Sequence, residues 1–177
     1  MKKTIAIILM IITFIIIYFL QSNFFNYFTI SKIKPNIFII YVLIIGLFAG
    51  KRVGISSGII IGFILDFLCN IYVGRTAVIL GIIGFIGGYL EKRFSKDSRI
   101  TLILISIIVT IIYEAFLYIL NIAINSVSPE TFDFIKILSV ECIYNSIIVI
   151  IIYPLIKKAG YAMEQTFKTR KMLTRYF

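Results

Sequence analysis

Five glycines recur at every fourth position of one stretch of the chain, and an aspartate takes the next place in the series. The series is Gly46, Gly50, Gly54, Gly58, Gly62 and Asp66. Residues four apart share one face of a helix, and glycine leaves that face without side-chain bulk, so another helix can approach closely. A carboxylate in hydrocarbon costs about 2.5–3.5 kcal/mol, so we expect Asp66 to face protein or water. The series predicts a helix-packing seam that ends in a buried polar contact.

The chain is too apolar for a soluble domain of its size. Of its 177 residues, 60% are hydrophobic, and the mean hydropathy is +1.05. This composition predicts an all-α integral membrane protein with short connections. Lys2 and Lys3 precede the first apolar stretch, as in a signal peptide, but that stretch is long and no small-residue cleavage site follows it. We therefore expect a retained first span.

Six apolar segments divide the chain into a polytopic domain, residues 1–156, and a C-terminal tail, residues 157–177. The predicted spans are residues 4–20, 35–48, 54–71, 76–90, 100–120 and 134–153. A helix needs about 20 residues to cross a bilayer, so the second and fourth spans are short. They require a thin bilayer or shielding by neighbouring helices, and five spans with a re-entrant segment is the alternative. Pro154 is predicted to end the sixth span.

Basic residues give the predicted orientation. With the N-terminus in the cytoplasm, fourteen of the eighteen Lys and Arg residues fall on the cytoplasmic side. This distribution follows the positive-inside rule and places both termini in the cytoplasm. The net charge of +10 then reflects topology and attraction to anionic membrane lipid, so nucleic-acid binding is not needed to explain it. The tail, residues 157–177, mixes basic and apolar side chains and is predicted to form an amphipathic helix on the membrane surface.

Polar side chains within the spans gather at one depth. The predicted buried polar cluster, in the outer half of the helices, comprises Asp66, Glu114, Glu141, Asn121 and Asn145. Such side chains fix neighbouring helices or line a small site open to the outside. A more ordinary interpretation is that each acid reaches the outer interface or pairs with Arg75 or Lys136.

Catalysis, metal binding and cofactor binding find no support in the residue pattern. The chain has no histidine, and its two cysteines lie far apart in apolar segments. No nucleophile with an adjacent base and no phosphate-binding glycine loop is visible, because the glycines occur at helical spacing. Gly81, Gly84 and Gly88 form a second stripe of this kind in the fourth span. We expect a protein without enzymatic activity.

The stretch from Gly58 through Gly62 to Asp66, followed by Gly74 and the run GFIGGYL, resembles the core of the rod shape-determining protein MreD family. The similarity is clearest over residues 35–90, and elsewhere it lies in hydropathy. It implies a non-enzymatic scaffold of the bacterial cell-wall elongation machinery, located in the cytoplasmic membrane. The implied partners are an MreC-like protein, a RodA-type glycosyltransferase with its class B penicillin-binding transpeptidase, and MreB.

The resemblance also implies a likeness to the six-helix substrate-binding subunits of energy-coupling-factor transporters. A small-molecule-binding transporter subunit, with an outward pocket near Asp66, Glu114 and Glu141, is therefore the alternative function. In the leading hypothesis, the face carrying Gly58, Gly62, Asp66 and Gly74 accepts a close helix, either from within the chain or from an MreC-like partner. Gly62→Leu should then abolish partner association without preventing membrane insertion.

Overall fold

The computed structural model describes residues 2–69, 72–91, 98–125 and 131–167. The described residues form six helices. These are α1 (Lys2–Phe19), α2 (Ile37–Ala49), α3 (Lys51–Cys69), α4 (Arg75–Leu90), α5 (Arg99–Asn125) and α6 (Thr131–Phe167). A π-helical turn, Leu20–Phe24, and a last α turn, Phe25–Tyr27, extend α1. No strand occurs within these ranges, and the fold is that of an all-α membrane protein.

Three of the described helices are long and apolar enough to cross a membrane. These are Lys3–Tyr27, Arg99–Ile124 and Thr131–Phe167. The apolar helices α2 and α4 are shorter, with 13 and 16 residues, which correspond to about 20 and 24 Å of helix. Helices α1 to α5 overlap the first five predicted spans, and their ends differ from the predicted ones by up to five residues. Helix α6 extends fourteen residues beyond the predicted end of the sixth span, residue 153, and residues 70–71 of the third lie outside the described ranges.

Helix α2 forms the centre of the bundle. All of its residues except Ile44 are buried, and Ile39, Val42, Ile45 and Phe48 have no exposed surface. A helix hydrophobic on every side is stable when neighbouring helices surround it. Helix α1 packs on α2 through the rings of Phe14 and Phe38, which lie 5.9 Å apart. The shielding by neighbours explains how a short apolar helix is accommodated.

A single residue, Gly50, separates α2 from α3. Its φ of +91° is a conformation that residues with a Cβ rarely adopt, so glycine is needed for this reversal. The Gly50 N–H donates to the carbonyl of Gly46, and the Gly54 N–H donates to the carbonyl of Gly50. The two helices therefore meet directly at the turn, and α4 packs antiparallel along α3.

Helix α6 continues through Pro154 to Phe167, so it does not end where the proline rule predicts. Packing beyond the proline explains the difference. Ile156 and Gly160 are buried, Gly160 lies against the Phe48 ring, and the Tyr161 ring meets that ring edge-on at 5.7 Å. The first part of the predicted tail therefore extends α6 and packs on α2, while residues 168–177 lie outside the described ranges.

Candidate functional site

The backbone of α4 fills the space beside the glycines of α3. A Cβ added at Gly62 would lie 2.6 Å from the Ala77 amide nitrogen and 2.6 Å from the Thr76 carbonyl oxygen. A Cβ added at Gly58 would overlap the Leu80 carbonyl group. Real Cβ atoms do not approach other atoms this closely, so the two helices are in backbone contact. The close contacts of Gly58 and Gly62 thus lie within the chain.

A third helix joins the seam near its other end. A Cβ added at Gly54 would lie 2.5 Å from the Gly84 carbonyl oxygen and 2.7 Å from the Gly46 Cα atom. A Cβ added at Gly87 would lie 2.6 Å from the Leu43 carbonyl oxygen. Helices α2, α3 and α4 therefore converge on glycines, which allow the tight packing that small residues provide in membranes.

Asp66 holds the N-terminus of α4. Its side chain has no exposed surface, and its Oδ2 atom accepts hydrogen bonds from the N–H groups of Gly74 (2.9 Å), Thr76 (2.9 Å) and Ala77 (3.1 Å). The first N–H groups of a helix have no partner within it, and the helix dipole favours a negative group there. Lipid offers no water to these N–H groups. Asp66, which belongs to the preceding helix α3, supplies the acceptor that the first N–H groups of α4 need.

Gly74 has a different role from the one predicted, which was a place on the face that accepts a close helix. Among the described residues nothing lies within 4 Å of an added Cβ, so no described helix of the chain packs closely on Gly74. Its φ is +100°, a left-handed conformation, and its N–H donates to Asp66. Gly74 shapes the turn that delivers the N-terminus of α4 to the carboxylate.

The buried N-terminus of α2 is held in a similar way by side chains from two other helical segments. The Oε1 atom of Gln21 accepts a hydrogen bond from the Ile37 N–H (3.3 Å), and its Nε2 group donates to the Pro35 carbonyl (2.6 Å). Asn145 has no exposed surface, and its Oδ1 atom accepts from the Asn36 N–H at 3.0 Å. Its Nδ2 group donates to the Thr110 hydroxyl at 3.0 Å. Asn145 therefore ties α2 to α5 and α6.

The remaining predicted polar residues form two further groups. Glu141 is only 4% exposed, and its carboxyl group lies near the carboxyl group of Glu114 and the side-chain amide of Asn145. The exposed Asn121 accepts a hydrogen bond from the Arg75 guanidinium at 3.0 Å. The structure thus brings Glu114, Glu141 and Asn145 together, whereas Asp66 bonds the α4 backbone and Asn121 lies at the surface.

A small cavity lies between these groups at the end of the bundle that contains Asp66, called the Asp66 end below. Its volume is about 140 Å³, and its lining includes the polar side chains of Gln21, Asn36, Thr76 and Tyr113. Three buried polar atoms have no hydrogen-bond partner among the described residues: Arg75 Nε, Tyr118 Oη and Glu141 Oε1. Within the same residues, no three His, Cys, Asp or Glu side chains are grouped to hold a metal ion.

The sequence pattern did not single out Gln21, Asn36 or Thr110. Each is an uncharged polar residue near a helix end or within a long apolar helix, and its role depends on a partner far along the chain. Asn36 stands at the N-cap position of α2 but makes no side-chain capping bond, so the first N–H groups of α2 need acceptors from elsewhere. The side chains at the Asp66 end therefore hydrogen-bond the N-termini of α2 and α4 and hold these helix ends in place.

Asn145→Leu should lower the free energy of unfolding by about 2 kcal/mol. The change removes the acceptor of the buried Asn36 N–H and the donor to Thr110, and an unsatisfied buried group costs about 1–3 kcal/mol. An SDS titration of the purified protein, followed by circular dichroism, measures the effect. Ser139→Leu, at an exposed position of α6, is the matched control and should change stability by less than about 0.5 kcal/mol. Equal effects of the two changes would contradict the assigned role of Asn145.

Comparison with known proteins agrees with the architecture. No curated protein and no solved structure matches the chain significantly. The model of the family described as rod shape-determining protein MreD matches residues 1–159, a range that includes the glycine seam and the residues of the Asp66 end. Because this match covers most of the chain, the chain belongs to the MreD family of rod shape-determining membrane proteins, which is not a known enzyme family.

Proposed function

We propose that the chain is a non-enzymatic scaffold of the bacterial cell-wall elongation machinery that binds an MreC-like protein. Through that protein it would associate with a RodA-type glycosyltransferase, its class B penicillin-binding transpeptidase and MreB filaments. Membership of the MreD family supports a part in determining rod shape. The finer assignment rests on how the polar side chains of the bundle are used.

The observation that carries the proposal is the use of buried polar side chains as helix caps. Asp66 accepts three N–H groups of the α4 N-terminus, and Asn145 and Gln21 accept those around the α2 N-terminus. Groups bound in this way are not available to a substrate. They favour a bundle with one fixed arrangement, which is what a partner protein needs to recognise.

The volume of the cavity at the Asp66 end favours the scaffold over the transporter alternative. Pockets for small molecules usually have about 300–1,000 Å³, whereas this cavity has about 140 Å³. A vitamin-sized ligand would have to separate helices whose ends are joined by buried hydrogen bonds. Room for a few water molecules is more in keeping with its size.

For orientation, we propose that the opposite end of the bundle, called the Lys51 end below, lies in the cytoplasm together with both termini. That end contains Lys51, Arg52, Arg99 and Lys158, in agreement with the positive-inside rule. The Asp66 end then faces the outside of the membrane.

Affinity purification from native membranes tests this function. A tagged chain is extracted in mild detergent, and the accompanying proteins are identified by mass spectrometry. We expect enrichment of an MreC-like protein and of the glycosyltransferase–transpeptidase pair over a tagged, unrelated polytopic protein expressed at the same level. Recovery of transporter ATPases without wall-synthesis proteins would contradict the proposal and favour the transporter subunit.

A further inference from the structure

An apolar groove runs along the exposed side of the α3–α4 hairpin. This hairpin groove has a volume of about 450 Å³ and is lined by apolar residues and glycine. The lining includes Ile55 and Ile59 of α3, and Ala77, Val78, Gly81 and Phe85 of α4. From Gly74 to Phe85 it follows α4 for about 16 Å of helix. One leaflet, half of a hydrocarbon core of about 30 Å, has a similar depth.

Two basic side chains mark the end of the groove at the Lys51 end. The Lys51 ammonium lies over the rings of Phe85 and Tyr89, 5.3 and 4.8 Å from their centres. Lys51 and Arg52 are both exposed and belong to the first turn of α3, where the helix dipole adds partial positive charge. The ring contacts keep the Lys51 charge beside the groove, since cation–π contacts favour this placement.

Charge complementarity decides which molecule fits the groove. A transmembrane helix of a partner protein normally carries Lys or Arg at its cytoplasmic flank, which Lys51 and Arg52 would repel. The groove also offers no polar group that could set the register of such a helix. An anionic phospholipid has the opposite distribution, with an apolar chain and a negative headgroup that basic residues attract.

We infer that the hairpin groove holds an acyl chain of an anionic phospholipid whose phosphate lies against Lys51 and Arg52. The acyl chain follows α4 from the level of Tyr89 towards Val78, which covers the apolar walls of the groove. The lipid thereby covers the apolar surface of the α3–α4 hairpin on the side that α2 does not cover. The headgroup site at Lys51 and Arg52 lies at the opposite end of the bundle from Asp66 and does not depend on binding of an MreC-like protein.

Native mass spectrometry of the full chain tests the headgroup site. The protein is purified in micelles that contain equal amounts of phosphatidylglycerol and phosphatidylcholine. We expect retained phosphatidylglycerol on the wild type, and a loss of this preference by more than about tenfold in Lys51→Gln/Arg52→Gln, since each basic side chain contributes about fivefold. Arg99→Gln is the matched control, because Arg99 also lies over a ring, that of Tyr153 at 5.0 Å, but Tyr153 does not line the groove, whereas Phe85 beneath Lys51 does. Equal retention of both lipids, or an equal loss in Arg99→Gln, would overturn the inference.

Photo-cross-linking in native membranes identifies what fills the groove. A photoreactive amino acid replaces Ile59 in the groove or, as a control, Leu104 on an exposed face of α5. We expect the Ile59 variant to form a phospholipid adduct that is richer in anionic lipid than the adduct at Leu104. A polypeptide adduct at Ile59, or the same lipid composition at both positions, would overturn the inference.

Discussion

Gly62→Leu is expected to lower the free energy of unfolding by at least about 3 kcal/mol. The Cβ atom alone would lie 2.6 Å from the Ala77 nitrogen and the Thr76 oxygen, which are backbone atoms that cannot rotate away. Helices α3 and α4 would have to separate, and this would weaken the hydrogen bonds from the α4 N-terminus to Asp66, one turn further along α3. Overpacking a tight site typically costs 1–3 kcal/mol, and the lost capping bonds add to it.

Unfolding in SDS and the yield of monodisperse protein after detergent extraction measure this effect. Gly62→Ala should have a smaller effect in the same direction, because it introduces the Cβ atom without the rest of the side chain. Ser56→Leu is the matched control, since it adds bulk to an exposed position of the same helix and should leave stability within about 0.5 kcal/mol. Wild-type stability of Gly62→Leu would show that the seam is not in backbone contact.

This geometry changes what Gly62→Leu would report about partners. The sequence pattern left open whether the glycine face meets a helix of the same chain or of an MreC-like protein. In the structure α4 fills it, so a loss of partner association in this variant would follow from a disturbed hairpin rather than from a blocked docking surface. An association assay therefore has to be accompanied by the stability measurement.

The pairing of α3 with α4 is the part of the fold that local sequence patterns predict best. Glycines at every fourth position mark a face for close packing, and a complementary stripe in α4 contributes Gly84 and Gly88. A short connection makes the two stripes antiparallel neighbours. Gly81 shows the limit of the pattern. Of the residues that the structure describes, its added Cβ would meet the Ile59 side chain and no backbone, because Gly81 lies beside the groove.

Contacts between distant parts of the chain could not be predicted in this way. Asn36 and Asn145 are 109 residues apart, and nothing in either local sequence identifies the other as its partner. The course of α6 beyond Pro154 likewise depends on Phe48, which packs on Gly160. Local rules describe what a residue does to its own helix, whereas these features depend on which other helix lies beside it.

Asp66→Leu should lower the free energy of unfolding by about 3 kcal/mol or more. Three N–H groups, those of Gly74, Thr76 and Ala77, would lose their acceptor, and the first turn of a helix supplies no other from within the helix. Hydrogen bonds to a charged group contribute about 1.5–3 kcal/mol each, and part of the loss is offset because leucine is readily accommodated in an apolar interior. The SDS titration proposed for Gly62→Leu measures the change.

Asp66→Asn should cost less, about 1–2 kcal/mol, because the amide keeps one carbonyl oxygen that can accept from the α4 N-terminus. Its NH₂ group cannot accept, so at least one of the bonds now made by Oδ1 and Oδ2 is lost.

Hydrogen exchange at Thr76 and Ala77 distinguishes capping from a general packing effect. We expect faster exchange in Asp66→Leu than in Asp66→Asn, with little change in the core of α2. Equal exchange and equal stability in the two variants would mean that side-chain volume, rather than the acceptor oxygens, makes Asp66 necessary at the end of the glycine seam.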